Sequence, residues 1–390
     1  MMASSAPPAD VVVAGGGVIG LSSAWEAAQR GLSVHVLDPS PGRGAAWVAA
    51  GMIAPVTEAT FGEESHARMF LAAAARWPEF AARLTGATGM DTGFQACGTI
   101  AVGLDASDRA AIDQLLEFQR GLGLDASRLS ASECRALVPT LSPAVRGGAL
   151  MPGDHQVDNR RLMLSLIEGC ARAGVTLTPE RVVSVASDAK GAATGVVTER
   201  GDTVPAGTVL LAAGAHTPMI GGVPDGVVPS VRPVKGHAVR LRAPGDGPAF
   251  ARTVRGLVRG RHCYLVPRAD GSVVVGATAE ERGYDTTVQA GAVHTLLDDA
   301  RLLVPTVDEW EYLECAAGLR PGSPDNAPFV GPTSVPRLAV ATGHYRNGFL
   351  LAPLTADAIA TYLTTGDVPP PLDAYPVDRH LPAARTGSGR

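Results

Sequence analysis

The chain has 390 residues, with 33 basic against 38 acidic side chains and a formal net charge of −5. That balance excludes an electrostatic case for nucleic acid or an anionic membrane surface, and 46% apolar residues supply the core of about two domains. Five scattered cysteines, at 97, 134, 170, 263 and 315, are odd in number and form no CxxC pair, which argues against a disulfide framework or zinc site and points to a reducing cytoplasm.

The opening MMASSAPPAD lacks the charged start and apolar stretch of a secretory signal, and no later run approaches 18 uninterrupted apolar residues. A soluble cytoplasmic protein without a membrane span is expected. Residues 11 to 37 then form the clearest unit: an apolar strand (Val11, Val12, Val13), a glycine turn, a helical stretch carrying Ile19, Leu21, Ala24, Trp25 and Ala28, and a second strand, SVHVL. Gly15, Gly17 and Gly20 make a G-x-G-x-x-G at that strand-to-helix turn. The first allows the turn, the second admits a pyrophosphate against the backbone, and the third lets helix and strand pack closely. Asp38, eighteen residues beyond Gly20, ends the second strand where an acid accepts hydrogen bonds from ribose hydroxyls. This context points to a dinucleotide and leaves NAD and FAD both open.

The run GRGAAWVAAGMIAP at 42–55 is too irregular for a helix or strand and too apolar for a solvated loop, so it is expected to lie against something bulky. Residues 64–85 read as a helix with Phe70, Ala73, Trp77, Phe80 and Leu84 on one face. A second helix is expected after Ser107 as N-cap, stopping at Gly121, and a third over 160–173, ending at Gly174. TVLLAAG at 208–214 reads as another strand of the first sheet. HAVRLR, TVRGLVR, HCYLVPR and SVVVGA, between 237 and 277, suggest a mostly antiparallel sheet of a different module. The strand LAVAT and a closing helix over about 348–363 follow, and the end of the chain reads as a flexible tail. The fold class is therefore α/β, α+β overall, with two domains whose sequences interleave.

Three segments carry a resemblance: 42–55, AGLRPGSPDNAPFVGP at 317–332 and ATGHYRNGFLLAP at 341–353. In them the chain resembles the flavin-dependent amine oxidases of the D-amino acid oxidase and sarcosine oxidase superfamily, and within it the glycine oxidases that serve thiazole formation in thiamine biosynthesis. The likeness runs from about residue 11 to 365. It implies a Rossmann-like FAD-binding domain (10–90, 150–225 and 317–366), a substrate domain on a mostly antiparallel sheet (91–149 and 226–316), and a tail over 367–390. It implies non-covalent FAD, with Gly15, Gly17, Val18, Ile19 and Gly20 at the diphosphate turn, and Asp38 and Pro39 at the adenosine ribose. It places Ala45, Ala46, Ala50, Gly51 and Met52 along the diphosphate and flavin, Val183 beside the adenine, and His344, Tyr345, Arg346, Asn347, Gly348, Phe349 and Leu350 at the flavin. Gly348 would open a helix whose free N–H groups face the flavin pyrimidine edge, where negative charge develops on reduction.

For the substrate, the resemblance implies Arg320 on the carboxylate, where a guanidinium fork fits bidentately, with Tyr264 assisting and Arg346 as a second ligand-binding arginine. Tyr264 reads equally well as a strand-packing residue. His262 and His344 are possible pocket residues without an assigned step. Flavin takes the α-hydride in this chemistry and no side chain need act as a strong base. The expected reaction is oxidative deamination of glycine, and also of sarcosine and small D-amino acids, to glyoxylate, ammonia and hydrogen peroxide through an imine. Expected partners are the amino acid, molecular oxygen, further copies of the chain in a homo-oligomer and a thiazole synthase; no nucleic acid, membrane or metal is expected. The alternatives are a sarcosine oxidase-type enzyme with tethered flavin, a D-amino acid dehydrogenase, an NAD-dependent enzyme, and a non-catalytic flavin-binding redox sensor. A tether at 317–322 is disfavoured because Gly318, Leu319 and Arg320 stand there, with Cys315 expected on a preceding strand.

Overall fold

A computed structural model describes residues 8–380 and contains two eight-stranded sheets. The first begins with the apolar strand Ala9–Ala14, which pairs in parallel with Val34–Leu37 on one side and Thr203–Leu211 on the other. Thr176–Thr178 and Leu338–Thr342 extend this parallel core, and Phe329–Pro332 closes one edge antiparallel. Val182–Ser187 and Ala193–Thr198 form an antiparallel flap on Thr203–Leu211. The helices Val18–Gln29, Ala67–Thr88, Asn159–Arg172 and Gly348–Thr365 join one face of this sheet in a single core containing Leu21, Trp25, Phe70, Trp77, Leu166 and Leu351. Val12, Ala14, Val209 and Leu211 point to the opposite face, as strand alternation requires.

The second sheet runs in the order Glu311–Gly322, Arg232–Arg242, Ser272–Gly276, Arg261–Pro267, Thr253–Val258, Thr99–Gly103, Gly147–Met151 and Ser127–Ser130. Its neighbours are antiparallel except for Thr253–Val258 beside Thr99–Gly103, which are parallel, so the sheet is mixed. Helix Ala290–Leu303 covers one face, where Val239, Leu265, Val273, Val275, Leu296 and Leu303 cluster. The other face meets the segment Val48–Met52 through Ala238, Tyr264, Val266 and Val274.

Several local expectations change. The helix expected after Ser107 starts at Ala106, because the Asp105 carboxylate accepts the Asp108 N–H at 2.9 Å and provides the cap. The helix expected from residue 64 begins with a 3₁₀ turn over Glu64–His66 and continues to Thr88, where Gly89 takes the left-handed conformation (φ 71°). Segment 42–55 is short helix Ala45–Val48 followed by strand Met52–Ile53. Cys315 lies on the same strand as Arg320, with its side chain turned to the core beneath the sheet. The strand Glu311–Gly322 crosses the expected boundary at 317, and Gly147–Met151 crosses the one at 150, because both stay hydrogen-bonded within the second sheet. Residues 367–380 are anchored: Leu372 is 1% exposed and Arg379 pairs with Asp325 at 2.8 Å. The remainder of the expected tail, 381–390, lies outside the described residues.

Candidate active site

The glycine turn leads from strand Ala9–Ala14 into helix Val18–Gln29, whose cap Gly17 provides no side-chain acceptor for the first-turn N–H groups. Methyl groups at Gly15 and Gly20 would run into the Ala212 and Gly15 carbonyls, whereas the space beside Gly17 is open. Tight packing at the first and third glycines with free space at the second fits a pyrophosphate at the helix N-terminus. Asp38 sits beside this turn, with Oδ2 accepting the Gly16 N–H and Oδ1 the Ser40 N–H, both at 2.7 Å. Its remaining lone pairs are free geometrically for ribose hydroxyls. Pro39 is exposed next to it, and Val183, 39% exposed, lies on the flap of the first sheet.

A second helix N-terminus meets the first. Gly348 opens helix Gly348–Thr365, and a methyl placed there would lie 3.9 Å from Val18 Cγ1. The preceding Asn347 is buried, and its Nδ2 has no partner among the described residues. A buried amide donor without an acceptor costs free energy unless something polar comes to it. A flavin ring, with its carbonyl and nitrogen acceptors, suits this position. Ile19, Phe349 and Leu350 are buried in the core behind the two helix ends, and Tyr345 takes a positive φ of 47° in the turn that joins His344 to them. His344 itself is buried, with Nε2 2.9 Å from Thr355 Oγ1, and burial pushes it down to about 3. Its imidazole is therefore neutral.

Ala45, Ala46, Ala50, Gly51 and Met52 run between these helices and the open face of the second sheet. Strand register puts Glu314, Ala316, Gly318 and Arg320 on that face, opposite Arg240, Ala238, Gly236 and Val234 of the neighbouring strand. Gly318 abuts Ala45 and Val48, with a methyl there reaching 3.3 Å from Ala45 Cα. The middle of the face is therefore a floor of small residues, Gly236, Ala238, Ala316 and Gly318, against which segment 45–52 and the Arg320 side chain approach closely.

Arg320 and Tyr264 approach one end of this floor from opposite strands. The Arg320 guanidinium occupies the space where a Gly236 side chain would stand, and its Nη1 donates to the Thr278 carbonyl at 3.0 Å. Tyr264 lies in register with Gly276, and its hydroxyl occupies the space of the missing Gly276 side chain. Burial pushes the Tyr264 phenol up, opposed by the nearby charges of Arg320 and then Arg255, so the hydroxyl stays protonated and can donate. Among the described residues Arg320 forms no ion pair, which leaves its guanidinium available to an incoming carboxylate.

Arg346 is placed differently. It pairs with Glu58, and its Nη2 lies 3.0 Å from Glu63 Oε2, so its charge is already matched. Glu58 also binds Arg255 at 2.7 Å. Burial pushes the Glu58 carboxyl up, but Arg346 and Arg255 outweigh it and hold it at about 2. Arg255 stands in register with Tyr264, and burial followed by the Arg255 charge keeps His262 below its usual value. Sequence reading missed Glu58, Arg255, Gly236 and Gly276, because their roles arise from cross-strand register and from a loop at 54–63 that carries no motif. The one signal available in the sequence was glycine within otherwise apolar strands, which marks close approach of another group.

A family profile described as FAD dependent oxidoreductase matches residues 10–362. The bifunctional protein ThiO/ThiG of Synechocystis sp. is 33% identical over 382 residues, covering 95% of this chain; the chain spans 54% of that relative's length. The glycine oxidase of Geobacillus kaustophilus is 33% identical over 377 residues, covering 95% of this chain and 97% of the relative. The crystal structure of glycine oxidase from Geobacillus kaustophilus superposes with a TM-score of 0.88 at 32% identity, covering 96% of this chain and 100% of that one.

Proposed function

Because this chain belongs to the FAD-dependent oxidoreductase family, we propose that it oxidises glycine, with sarcosine and small D-amino acids as further substrates, in the cytoplasm. The observation that carries this reading is the approach of Arg320, without an ion pair among the described residues, and Tyr264 to the same edge of the small-residue floor. The net reaction is glycine, oxygen and water to glyoxylate, ammonia and hydrogen peroxide. Bound FAD supplies acceptance of a hydride from the amine α-carbon and its delivery to oxygen.

The chain's own residues bind and aim. Arg320 takes the substrate carboxylate through its fork, and the Tyr264 hydroxyl donates to the same group. Arg346, held by Glu58 and Glu63, walls the pocket as a charge-matched side chain. Gly15, Gly17, Val18, Ile19 and Gly20 hold the pyrophosphate, Asp38 and Pro39 the ribose, and Val183 the adenine. Ala45, Ala46, Ala50, Gly51, Met52, Asn347 and Gly348 border the flavin, backed by His344, Tyr345, Phe349 and Leu350. The segments 10–90, 150–225 and 317–366 serve FAD and 91–149 with 226–316 serve substrate, apart from the two strands noted above. Glycine must lose its ammonium proton before hydride leaves, so turnover rises toward alkaline pH. The bifunctional ThiO/ThiG relative supports hand-off of the imine to a thiazole synthase, and a homo-oligomer is proposed alongside it.

The test is anaerobic addition of glycine, sarcosine, D-alanine and D-proline to the FAD-loaded protein. Bleaching of the flavin band by glycine, with peroxide released on admitting air, is expected. Bleaching without peroxide would favour a dehydrogenase, and a yellow protein that no amine bleaches would favour a redox sensor.

A further inference from the structure

The open face of the second sheet carries a second group of cations, away from the Arg320 end. Arg268 directly follows strand Arg261–Pro267 and is 3% exposed. Its Nη1 donates to Gln156 Oε1 and its Nη2 to the Ala50 carbonyl, both at 2.6 Å, while its Nε is buried without a partner among the described residues. Among the described residues it forms no ion pair; the carboxylates nearest in effect are those of Asp158 and Asp270. Arg240, 8% exposed, donates to Asn159 Oδ1 at 2.8 Å and shares Glu314 with Arg160. Burial, then the charges of Arg160 and Arg268, hold Arg240 down at about 10. Glu314 thus bridges the guanidinium groups of Arg240 and Arg160, while Arg268 stands beside them with no carboxylate partner among the described residues.

Burying cations in this way costs free energy that dipoles or negative charge must offset. Part of the compensation comes from segment 45–52. Asn159 Nδ2 donates to the carbonyls of Ala46 and Trp47 at 2.8 and 2.9 Å, beside the bond from Arg268 to Ala50. In a trans peptide the N–H points opposite to the carbonyl. The bond to the Ala50 carbonyl therefore turns the Gly51 N–H away from Arg268. Gly51 can take its φ of 67° only because it lacks a side chain, since a methyl there would strike the Val157 carbonyl.

We propose that Arg268 is a positioning residue for the flavin: its fork fixes the Ala50–Gly51 peptide, and its buried charge, backed by Arg240, raises the reduction potential of bound FAD. This rests on the assignment of segment 45–52 to the flavin. Two electrons and one proton leave the ring one unit more negative, and a fixed cation in a poorly polarisable interior favours that form.

Reductive titration of the FAD-loaded protein against a reference dye tests the idea in three variants. Arg268→Gln loses the charge and, being too short to reach the Ala50 carbonyl, the fork as well, whereas Arg268→Lys keeps the charge and loses only the fork. The reduction equilibrium of Arg268→Gln is expected to shift about tenfold toward oxidised FAD, about 30 mV lower for a two-electron couple. Arg268→Lys should stay within about threefold of the wild type, while releasing FAD faster. Arg240→Gln should shift the potential in the same direction by less, and it decides the matter if Arg268→Gln fails to hold FAD. FAD-loaded neutral variants with the wild-type potential, or an equal shift in Arg268→Lys, would overturn the inference. A wild-type protein that takes up no FAD would instead overturn the flavin-site reading beneath it.

Discussion

The guanidinium of Arg320 stands in the place of a side chain at Gly236, so the absence of a Cβ on one strand sets the position of a cation on the next. The same relation recurs between Tyr264 and Gly276. Two glycines thereby make room for two polar groups over the face of the sheet.

Gly236→Ala should displace Arg320 from the Thr278 carbonyl. The concentration of glycine needed for half-saturation should rise about tenfold or more, since hydrogen bonds to charged groups contribute about 1.5–3 kcal/mol. Steady-state kinetics together with the flavin spectrum check this. Unchanged half-saturation would mean that Arg320 does not meet the carboxylate from this position.

Arg320→Ala removes the fork altogether and should raise the same half-saturating concentration roughly 100-fold while FAD stays bound, with Arg320→Lys intermediate because an ammonium cannot pair bidentately. Equilibrium dialysis with FAD separates the outcomes. Loss of FAD from Arg320→Ala would make the residue structural.

Asp38 joins the glycine turn to the end of strand Val34–Leu37 through the Gly16 and Ser40 N–H groups. Asp38→Ala is expected to weaken FAD binding about tenfold or more and to leave the order of preference among amines unchanged. Fluorescence titration of the apoprotein with FAD measures the first effect; equal retention would remove Asp38 from the ribose site.

Two buried carboxyls predict opposite acid responses. Glu58 is held at about 2, below its ordinary 4.5, so its contribution is complete above pH 4.5 and is lost as pH falls toward 2. Asp154, buried beneath the Val56 and Thr57 N–H groups, is raised by that burial from 3.8 to about 6. The folded protein holds the Asp154 proton longer than the unfolded chain does, so this group costs stability as pH rises from about 4 to 6. In thermal melts across pH 3–8, Glu58→Gln should reduce the loss of stability below pH 4.5, and Asp154→Asn should reduce the loss between 4 and 6. Variants whose midpoints fall in parallel with the wild type at every pH would show that neither group titrates as described.

Much of the nucleotide-binding half was legible in the sequence because its signals are local. Val11, Val12 and Val13 form a strand, Gly15, Gly17 and Gly20 turn it into a helix, and the next strand ends just before Asp38. Each step depends on neighbours within a few residues. Helix starts were less legible: Ser107 and Asp105 are both competent caps, and only the bond from the Asp108 N–H selects between them. Segment 42–55 was legible as something packed, but its carbonyls are turned by Asn159 and Arg268, which lie more than 100 residues away in sequence.

The sequence by itself determined the strand-turn-helix at the start, the interleaving of two sheets and the family resemblance, because periodicity and glycine spacing act over short distances. Tertiary structure alone decided which charges are free. Arg320 and Arg346 look alike as arginines in loop-like motifs, yet Glu58 and Glu63 claim Arg346, while Arg320 crosses Gly236 and keeps its charge unmatched among the described residues. Charge pairing depends on separations of a few ångströms between segments far apart in the chain, and those separations exist only once the two sheets and the 54–63 loop have packed together.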